Sequence, residues 1–299
     1  MKGIAVDCII IGGGPAGLTA AIYLGRYRRR VTVFDAGSSR AALIPRTQNY
    51  PGFAEGITGL DLLAALTAQA ENYGVNLIKC EAQLGRVGQM FCVAGKNADV
   101  CAPCVIMATG LIDNRPDIEG FEPGADGSLV RYCPICDGYE AAEKEICVFG
   151  SVEEACGKAL FLRTFSKSVT LLTRDGGHRP EKDCMALEAA GVGLPEGAVA
   201  CLRQQAGKIV ASFEDGSKAY FDLLYPVLGC AVRSELAAGL GARQTKSGYL
   251  VVDENMQTTV LGLYAAGGVV SDLHQIAVAT GHAAIAATRI HNSLPRNFR

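Results

Sequence analysis

Apolar and polar positions near the start of the chain alternate in a pattern typical of an α/β fold. Residues 5–11 form an apolar run rich in Ile and Val, which predicts a buried strand. The glycine-rich segment 12–17, Gly-Gly-Gly-Pro-Ala-Gly, follows directly, and apolar residues then recur with helical spacing over 18–24. A second apolar run at 31–34 ends at Asp35. The pattern therefore predicts a strand, a turn, a helix and a second strand.

This context gives the glycine turn a chemical meaning. Gly12 permits a tight turn, Gly14 lets the backbone approach a pyrophosphate, and Gly17 lets the helix pack on the strand. The N–H groups and the positive dipole at the start of the helix favour phosphates. Asp35 lies where a carboxylate can hold ribose hydroxyls. The sequence therefore predicts a dinucleotide site at this turn.

The same order of elements recurs later in the chain. An apolar strand at 146–150 ends in a glycine, and a helix and a second strand at 169–172 follow it. We therefore predict a second α/β unit at 114–232, inserted between the segments 1–113 and 233–299.

Composition narrows the class of protein. The chain is 49% hydrophobic and 19% charged, which excludes intrinsic disorder. Its net charge of -2 implies no basic face for nucleic acid. It contains no run of 18 apolar residues, and Asp7 interrupts the first apolar run in a way unlike a signal peptide. We expect a soluble, cytoplasmic protein without a membrane span.

One cysteine pair has the features of a redox site. The chain has 12 cysteines, and the segment 133–138 reads Cys-Pro-Ile-Cys-Asp-Gly. Pro134 suits the first position of a helix, so Cys133 lies near a helix N-terminus, where a thiolate is stabilised. Cys136, three residues on, can close a disulfide with it, and Asp137 can shuttle a proton. On spacing alone, a pair of reduced core thiols remains an alternative.

The second CxxC pair, Cys101 and Cys104, leads into an apolar strand. Residues three apart in an extended chain are separated by roughly 10 Å, whereas a disulfide needs Cα atoms within about 7 Å. We therefore expect Cys104 to be structural. The 28 residues between the two pairs exceed the usual gap of a zinc site, so no metal is predicted. The ten cysteines other than Cys133 and Cys136 are predicted to be apolar packing.

These motifs together resemble low-molecular-weight thioredoxin reductases. The resemblance covers about residues 4–291, and its motifs are the glycine turn, Asn-Tyr-Pro-Gly at 49–52, Ala-Thr-Gly at 108–110, the segment 133–138 and Ala-Ala-Gly at 265–267. It implies two Rossmann-like three-layer α/β domains of the FAD/NAD(P)-binding, thioredoxin reductase-like architecture. The FAD domain would combine 1–113 with 233–299, the insertion 114–232 would carry the dithiol, and the protein would be a homodimer.

The resemblance also implies roles for individual residues. Cys136 would exchange electrons with the flavin, Cys133 would attack the disulfide of a thioredoxin-like protein or another substrate, and Asp137 would act as acid and base. The implied flavin contacts are Gly12, Gly14, Pro15, Ala16, Gly17, Asp35, Asn49, Ala82, Thr109, Gly110, Gly267, Gly268, His274, Gln275 and Ile276.

The chain departs from the family at the second turn, where the family binds NADPH. The segment 150–155 reads Gly-Ser-Val-Glu-Glu-Ala, so Val152 replaces the glycine that lets a backbone approach pyrophosphate. Glu153 and Glu154 add negative charge at the helix start, and the family's basic cluster is reduced to Thr-Arg-Asp at 173–175 followed by Arg179. We predict weak or absent NADPH binding.

This departure resembles the pyridine-nucleotide-independent branch of the family. Its members receive electrons from ferredoxin or carry a second flavin, so a second FAD in the insertion is one expectation. Gly268 stands where the family has an Asp that contacts FAD, and His274 and Gln275 replace its Arg-Gln pair. FAD binding is expected to persist. Two alternatives stay open: an ordinary NADPH-dependent thioredoxin reductase, and a flavin-binding sensor or scaffold without turnover.

Overall fold

The computed structural model describes residues 4–94, 99–120, 129–174, 178–271 and 273–298. The chain forms two compact units. The first contains the chain up to Arg46, Tyr50–Ile112 and the chain from Ala231 onwards. The second contains Thr47–Asn49 and Asp113–Cys230. The second unit therefore differs by one or two residues at each end from the predicted insertion and gains a short segment from earlier in the chain.

The elements follow one another in the α/β order that the pattern predicts. The helices are α1 (Pro15–Arg26), α2 (Gly59–Glu71), α3 (Pro134–Asp137), α4 (Val152–Leu162), α5 (Glu181–Ala189), α6 (Glu235–Ala238) and α7 (Ile276–Ser293), and Arg40–Leu43 and Tyr139–Ala141 are 3₁₀ turns. The strands are β1 (Ile4–Ala5), β2 (Cys8–Ile11), β3 (Val31–Asp35), β4 (Asn76–Lys79), β5 (Gln83–Val87), β6 (Met90–Ala94), β7 (Asp99–Ala102), β8 (Cys104–Met107), β9 (Leu111–Asp113), β10 (Ile118–Glu119), β11 (Ile146–Gly150), β12 (Val169–Leu172), β13 (Val199–Gln205), β14 (Lys208–Phe213), β15 (Lys218–Phe221), β16 (Leu223–Val227), β17 (Cys230–Val232) and β18 (Leu263–Ala265).

The first unit is built on a five-stranded parallel sheet in the order β18-β8-β2-β3-β4. Helices α1, α2 and α7 share one hydrophobic core with this sheet. A four-stranded sheet, β1-β7-β6-β5, contacts it through β7 and β6. The unit thus has three layers, as the predicted fold class requires. The carboxyl ends of all five parallel strands meet at one edge, where α/β folds bind their ligands.

The strand predicted at residues 5–11 is two strands, and this prediction was wrong. β1 pairs with β7 in the four-stranded sheet, whereas β2 pairs with β3 and β8 in the parallel sheet. The break falls at Asp7, whose Oδ2 accepts a hydrogen bond from the backbone N–H of Arg30 at 2.7 Å. The apolar residues before Asp7 therefore belong to one sheet, and those after it belong to another.

The second unit repeats the layered plan with a smaller parallel sheet, β12-β11-β16. Side chains of β11 alternate between its two faces. Ile146 and Val148 enter the core shared with α4 and α5, whereas Cys147 and Phe149 enter the core shared with the sheet β10-β13-β14-β15. Both faces of β11 are therefore buried, which explains its uninterrupted apolar sequence.

A disulfide joins Cys92 and Cys101, so the prediction that both are plain packing residues was wrong. The two residues lie opposite each other where β6 pairs antiparallel with β7, and their Cα atoms are 4.1 Å apart. Cys101 therefore pairs across the sheet rather than with Cys104. Cys104 is 6% exposed and remains a thiol in the core of the first unit, as predicted.

Among the residues that the structure describes, no helix is both long enough and apolar enough to span a membrane.

The Cys92–Cys101 disulfide should stabilise the first unit. A crosslink that closes a loop of this length contributes about 2–3 kcal/mol by restricting the unfolded chain. Cys101→Ser should therefore lower the melting temperature of oxidised protein by several degrees, measured by calorimetry. Cys201→Ser, which removes a half-buried thiol from β13, is the matched control and should change it little. Equal melting temperatures for the parent and Cys101→Ser would contradict the prediction.

Candidate active site

The two cysteines of the segment 133–138 form a disulfide at the start of α3. Cys133 is the N-cap of α3, and Pro134 is its first helical residue, as the sequence predicts. The backbone N–H of Cys136 donates to the carbonyl of Cys133 at 2.9 Å, and this tight turn brings the two Cα atoms to 5.3 Å. The turn therefore places both sulfur atoms within bonding distance, which an extended chain cannot do.

Gly138 lies on the packed side of this turn, and Ile135 lies on its exposed side. A Cβ on Gly138 would lie 2.7 Å from the ring of Phe165, so only glycine lets the chain pass so close to that ring. Ile135 lies at the surface, with 53% of the residue exposed. One side of the disulfide turn is thus packed on the second unit, while the other presents an apolar residue at the surface.

Asp137 ends α3 and is held through both its backbone and its side chain. The hydroxyl of Tyr225 donates to Oδ1 of Asp137 at 2.8 Å, and Nη1 of Arg131 donates to its carbonyl at 3.1 Å. Burial raises the pKa of Asp137 above its ordinary value; the Tyr225 hydrogen bond and the charges of Arg131 and Lys158 act against this rise, and Glu140 adds to it. Sequence reasoning missed Tyr225 and Arg131, because neither belongs to a motif.

The first glycine turn has the close contacts that a dinucleotide turn requires. Gly12 has a φ of +111°, and a Cβ there would overlap the carbonyl of Ala108. A Cβ on Gly17 would overlap the carbonyl of Gly12, so the helix packs on the turn only because residue 17 is glycine. Gly14 is the N-cap of α1, and no side chain among the described residues caps this helix start. The amide groups of the first turn therefore have no side-chain cap among the described residues, and a phosphate could accept hydrogen bonds from them.

Asp35 lies beside this turn at the end of β3. Its Oδ1 accepts hydrogen bonds from the backbone N–H groups of Gly13 at 3.2 Å and of Gly37 at 3.1 Å. These two bonds fix the carboxylate next to the glycine turn. The open helix start, the glycine contacts and this carboxylate together fit the pyrophosphate and ribose of FAD.

The other predicted flavin residues are mostly at the same edge of the sheet. Thr109 and Gly110 follow β8, Gly267 and Gly268 follow β18, and Ala82 follows β4. A Cβ on Gly267 would lie 3.0 Å from the Cβ of Ala16, and one on Gly268 would lie 3.8 Å from the Cα of Gly110. The structure thus brings the segments after β8 and β18 together around the start of α1.

The remaining predicted flavin residues are three at the start of α7, together with Asn49. A Cβ on Gly267 would lie 3.5 Å from the Cβ of Ala279, in the first turn of α7. Nε2 of His274 is 3.0 Å from the hydroxyl of Tyr249, Gln275 is the N-cap of α7, and Ile276 is its first residue. Asn49 belongs to the second unit, where its side-chain amide donates to the carbonyl of Ile135 at 3.2 Å. Their contacts with flavin stay predictions.

Sequence reasoning missed a polar group of the first unit around Arg233. Its guanidinium donates to Oγ of Ser38 at 3.1 Å, and its backbone N–H donates to the carbonyl of Gly110 at 2.9 Å. The hydroxyl of Thr109 donates to the carbonyl of Arg233 at 2.5 Å. No spacing signal joins these residues, because Ser38 and Arg233 are 195 positions apart.

The second turn differs from the first at the start of its helix. The Ser151 hydroxyl accepts a hydrogen bond from the backbone N–H of Glu154 at 3.3 Å and so caps α4. Glu153 and Glu154 are exposed in the first turn, and Val152 is 1% exposed. The chain therefore caps this helix start with its own hydroxyl, and the two carboxylates place negative charge at the positive end of the helix dipole.

The remnant of the family's basic cluster, residues 173–175 and Arg179, is only partly described. Asp175 lies outside the described residues, Arg174 is exposed, and Nη2 of Arg179 donates to the carbonyl of Pro195. Within the part of the chain that the structure describes, no group of three or more His, Cys, Asp or Glu is arranged to hold a metal ion.

Comparisons with known proteins identify the family of this chain. A family profile described as pyridine nucleotide-disulphide oxidoreductase matches residues 6–283. The chain is 31% identical to a thioredoxin reductase of Treponema pallidum, over 94% of each chain. It resembles a solved structure named HlmI with a TM-score of 0.88 and 30% identity, over 97% of this chain and 92% of that one. It also resembles the thioredoxin reductase of Streptococcus pyogenes, with a TM-score of 0.87 and 26% identity over 97% and 98% of the two chains.

The match to the family spans most of the chain, and it includes both the glycine turn of the first unit and the Cys133–Cys136 disulfide of the second. The chain belongs to the pyridine nucleotide-disulphide oxidoreductase family, as a thioredoxin reductase-like, FAD-dependent disulfide oxidoreductase.

Proposed function

We propose that this protein passes electrons from FAD to the Cys133–Cys136 disulfide and on to a thioredoxin-like protein or another disulfide partner, without NADPH. The first unit is the FAD-binding domain, and the second is the dithiol domain. Ferredoxin or a second flavin serves as the electron donor. The protein acts as a homodimer in the cytoplasm.

The contrast between the two helix starts carries this proposal. α1 begins at Gly14 without a side-chain cap among the described residues, whereas α4 begins at Ser151, whose hydroxyl caps it. A pyrophosphate at α4 would have to displace the Ser151 hydrogen bond and approach Glu153 and Glu154. Like charges at short distance oppose such binding. The same fold therefore supports a dinucleotide at the first turn and disfavours one at the second.

The residues of the first unit would hold FAD through the start of α1 and through Asp35. Bound FAD supplies the electron pair that reduces the disulfide. In the second unit, the half-buried Cys133 is at the start of α3, and its thiolate attacks the partner's disulfide. Asp137 accepts the proton that the attacking thiol loses, and returns a proton to the thiolate that leaves.

Gly14→Ala should separate folding from FAD binding. A Cβ at residue 14 would lie 3.2 Å from the Ser39 hydroxyl, a contact that a side chain can relieve, but it would occupy space that the pyrophosphate needs. We expect folded protein whose FAD dissociation constant rises by at least about tenfold, measured by fluorescence titration of apoprotein. Gly157→Ala in α4, whose Cβ would meet nothing within 4 Å, is the matched control and should bind FAD normally. Unchanged affinity in Gly14→Ala would place the cofactor elsewhere.

Anaerobic titration tests the choice of donor. Dithionite should bleach the flavin absorbance and reduce the Cys133–Cys136 disulfide, whereas stoichiometric NADPH should leave the flavin oxidised over minutes. The reason is the self-capped, acidic start of α4. Rapid bleaching by NADPH would overturn the proposal in favour of an ordinary NADPH-dependent thioredoxin reductase. Flavin per chain, counted after gentle purification, separates the two remaining donors, because only the diflavin arrangement gives two.

Cys136→Ser should abolish electron transfer from flavin to the partner. The variant retains Cys133 but cannot re-form the disulfide that accepts electrons. Reduction of an added thioredoxin by dithionite-reduced protein should fall to background, monitored as thiols released. Cys104→Ser removes a core thiol of the first unit and should retain this activity. Equal loss in both variants would refute the assignment of redox chemistry to α3. Activity lost only in Cys136→Ser also argues against a sensor or scaffold without turnover.

A further inference from the structure

A buried phenol lies against the carboxyl group that ends the disulfide turn. We propose that Tyr225 is a positioning residue, which orients Asp137 for proton exchange with the Cys133–Cys136 thiols. This inference rests on the proposed function of that pair. It assigns a role to a residue that lies in a core strand, outside every motif of the chain.

Tyr225 is rigidly placed. It lies in the middle of β16, opposite Val148 of the central strand β11, and its side chain is fully buried. Its ring belongs to the core shared by α4 and α5. The hydroxyl at the end of this fixed ring reaches Oδ1 of Asp137 at 2.8 Å. A core strand therefore sets the position of a carboxyl group on a four-residue helix that could not hold it alone.

The acceptor that the Tyr225 hydroxyl bonds to most closely indicates a role beyond giving a buried hydroxyl a hydrogen-bond partner. A buried tyrosine needs one acceptor, and the backbone carbonyl of Asp137, at 3.5 Å, is also within reach. The hydroxyl contacts both oxygens, and its shorter bond, at 2.8 Å, is with the carboxyl oxygen. Arg131 donates to that backbone carbonyl at 3.1 Å. The shorter bond to the main chain of Asp137 thus comes from Arg131, and the bond to its side chain comes from Tyr225.

The direction of the bond follows from the electrostatics. Burial first, and the neighbouring Asp137 second, raise the pKa of Tyr225 far above its ordinary value, so the phenol stays protonated and donates. Donation stabilises the carboxylate and opposes the rise that burial imposes on the pKa of Asp137. The other charged groups facing Asp137 are Arg131 and Lys158, which lower its pKa, and Glu140, which raises it. Removing the phenol oxygen removes a hydrogen bond that lowers the pKa of Asp137. The effect of burial, which raises that pKa, is then less compensated, so the pKa rises.

The step that depends on this carboxylate is attack by the reduced pair. Asp137 takes the proton of the Cys133 thiol, and the resulting thiolate attacks the substrate disulfide. One substrate sulfur leaves as a thiolate, which takes the proton back from Asp137 and becomes a thiol. Cys136 then attacks the Cys133 sulfur and releases the second thiol. Two electrons pass from the pair to the substrate, and the Cys133–Cys136 disulfide re-forms. The rate of attack therefore rises as pH rises through the pKa of Asp137.

The test is the pH profile of this step in Tyr225→Phe. Dithionite-reduced protein is mixed with 5,5′-dithiobis(2-nitrobenzoate), whose leaving thiolate needs no proton, and its release is followed by stopped flow. Loss of a hydrogen bond to a charged group should move the rising limb about one pH unit or more toward alkaline pH. Tyr264→Phe is the control, because Tyr264 is also a buried strand tyrosine but lies in the core of the first unit. Its profile should match the parent.

A second measurement does not require turnover. Carbon-13 NMR of protein labelled at Asp carboxyl carbons gives the pKa of Asp137 directly, with the resonance assigned as the one that Asp137→Asn removes. We expect that pKa to rise by about one unit or more in Tyr225→Phe and to stay at the parent value in Tyr264→Phe. In an Asp137→Asn background, Tyr225→Phe should no longer move the rate profile.

The outcomes separate the two hypotheses. One outcome overturns only the role of Tyr225. In that outcome the parent protein reduces the probe disulfide, but Tyr225→Phe leaves both the pH profile and the pKa of Asp137 unchanged. A parent whose reduced thiols do not react with the probe at any pH overturns the proposed function, and with it the positioning role. A shifted profile that survives in the Asp137→Asn background contradicts action through Asp137.

Discussion

The contact between Gly17 of α1 and the carbonyl of Gly12 is the constraint on which the first unit depends. Any side chain at residue 17 would overlap that carbonyl, so the helix can reach the sheet only through glycine. Because α1 approaches so closely, its uncapped start lies at the carboxyl edge of the parallel strands. The Ala-Thr-Gly segment after β8 and the glycines after β18 then arrive at the same edge through parallel pairing. One close backbone contact thus positions a site drawn from both ends of the chain.

The second unit combines the layered plan of the first with a different helix start and a disulfide turn. Its parallel sheet, its strand β11 and its helix α4 repeat the first unit, but the helix start is occupied by Ser151, Glu153 and Glu154. Its distinct feature is the disulfide turn, which needs only a short helix and a glycine that fits beside Phe165. The redox group that the structure displays in this unit is therefore the disulfide, with the carboxyl group of Asp137 next to it in the chain.

The sequence predicts what is local and misses what depends on neighbours across the fold. The glycine turn, the start of α3 at Pro134 and the strand at 169–172 follow from residue types within a few positions of one another. The Tyr225–Asp137 bond spans 88 positions, and the Arg233–Ser38 bond spans 195. Such pairs are set by strand order and packing, which periodicity does not reveal. Cys92 and Cys101 are only 9 apart, yet their pairing needs the register of β6 against β7.

The Ser151 cap also has a thermodynamic consequence. A helix start that waits for a phosphate is stabilised only when the ligand binds, so its unit gains stability with ligand concentration. The start of α4 has its hydrogen-bond acceptor and its negative charge built into the chain. The cap of α4 therefore does not depend on a nucleotide. The start of α1 has no side-chain cap among the described residues, so a phosphate bound there would add to the stability of the first unit.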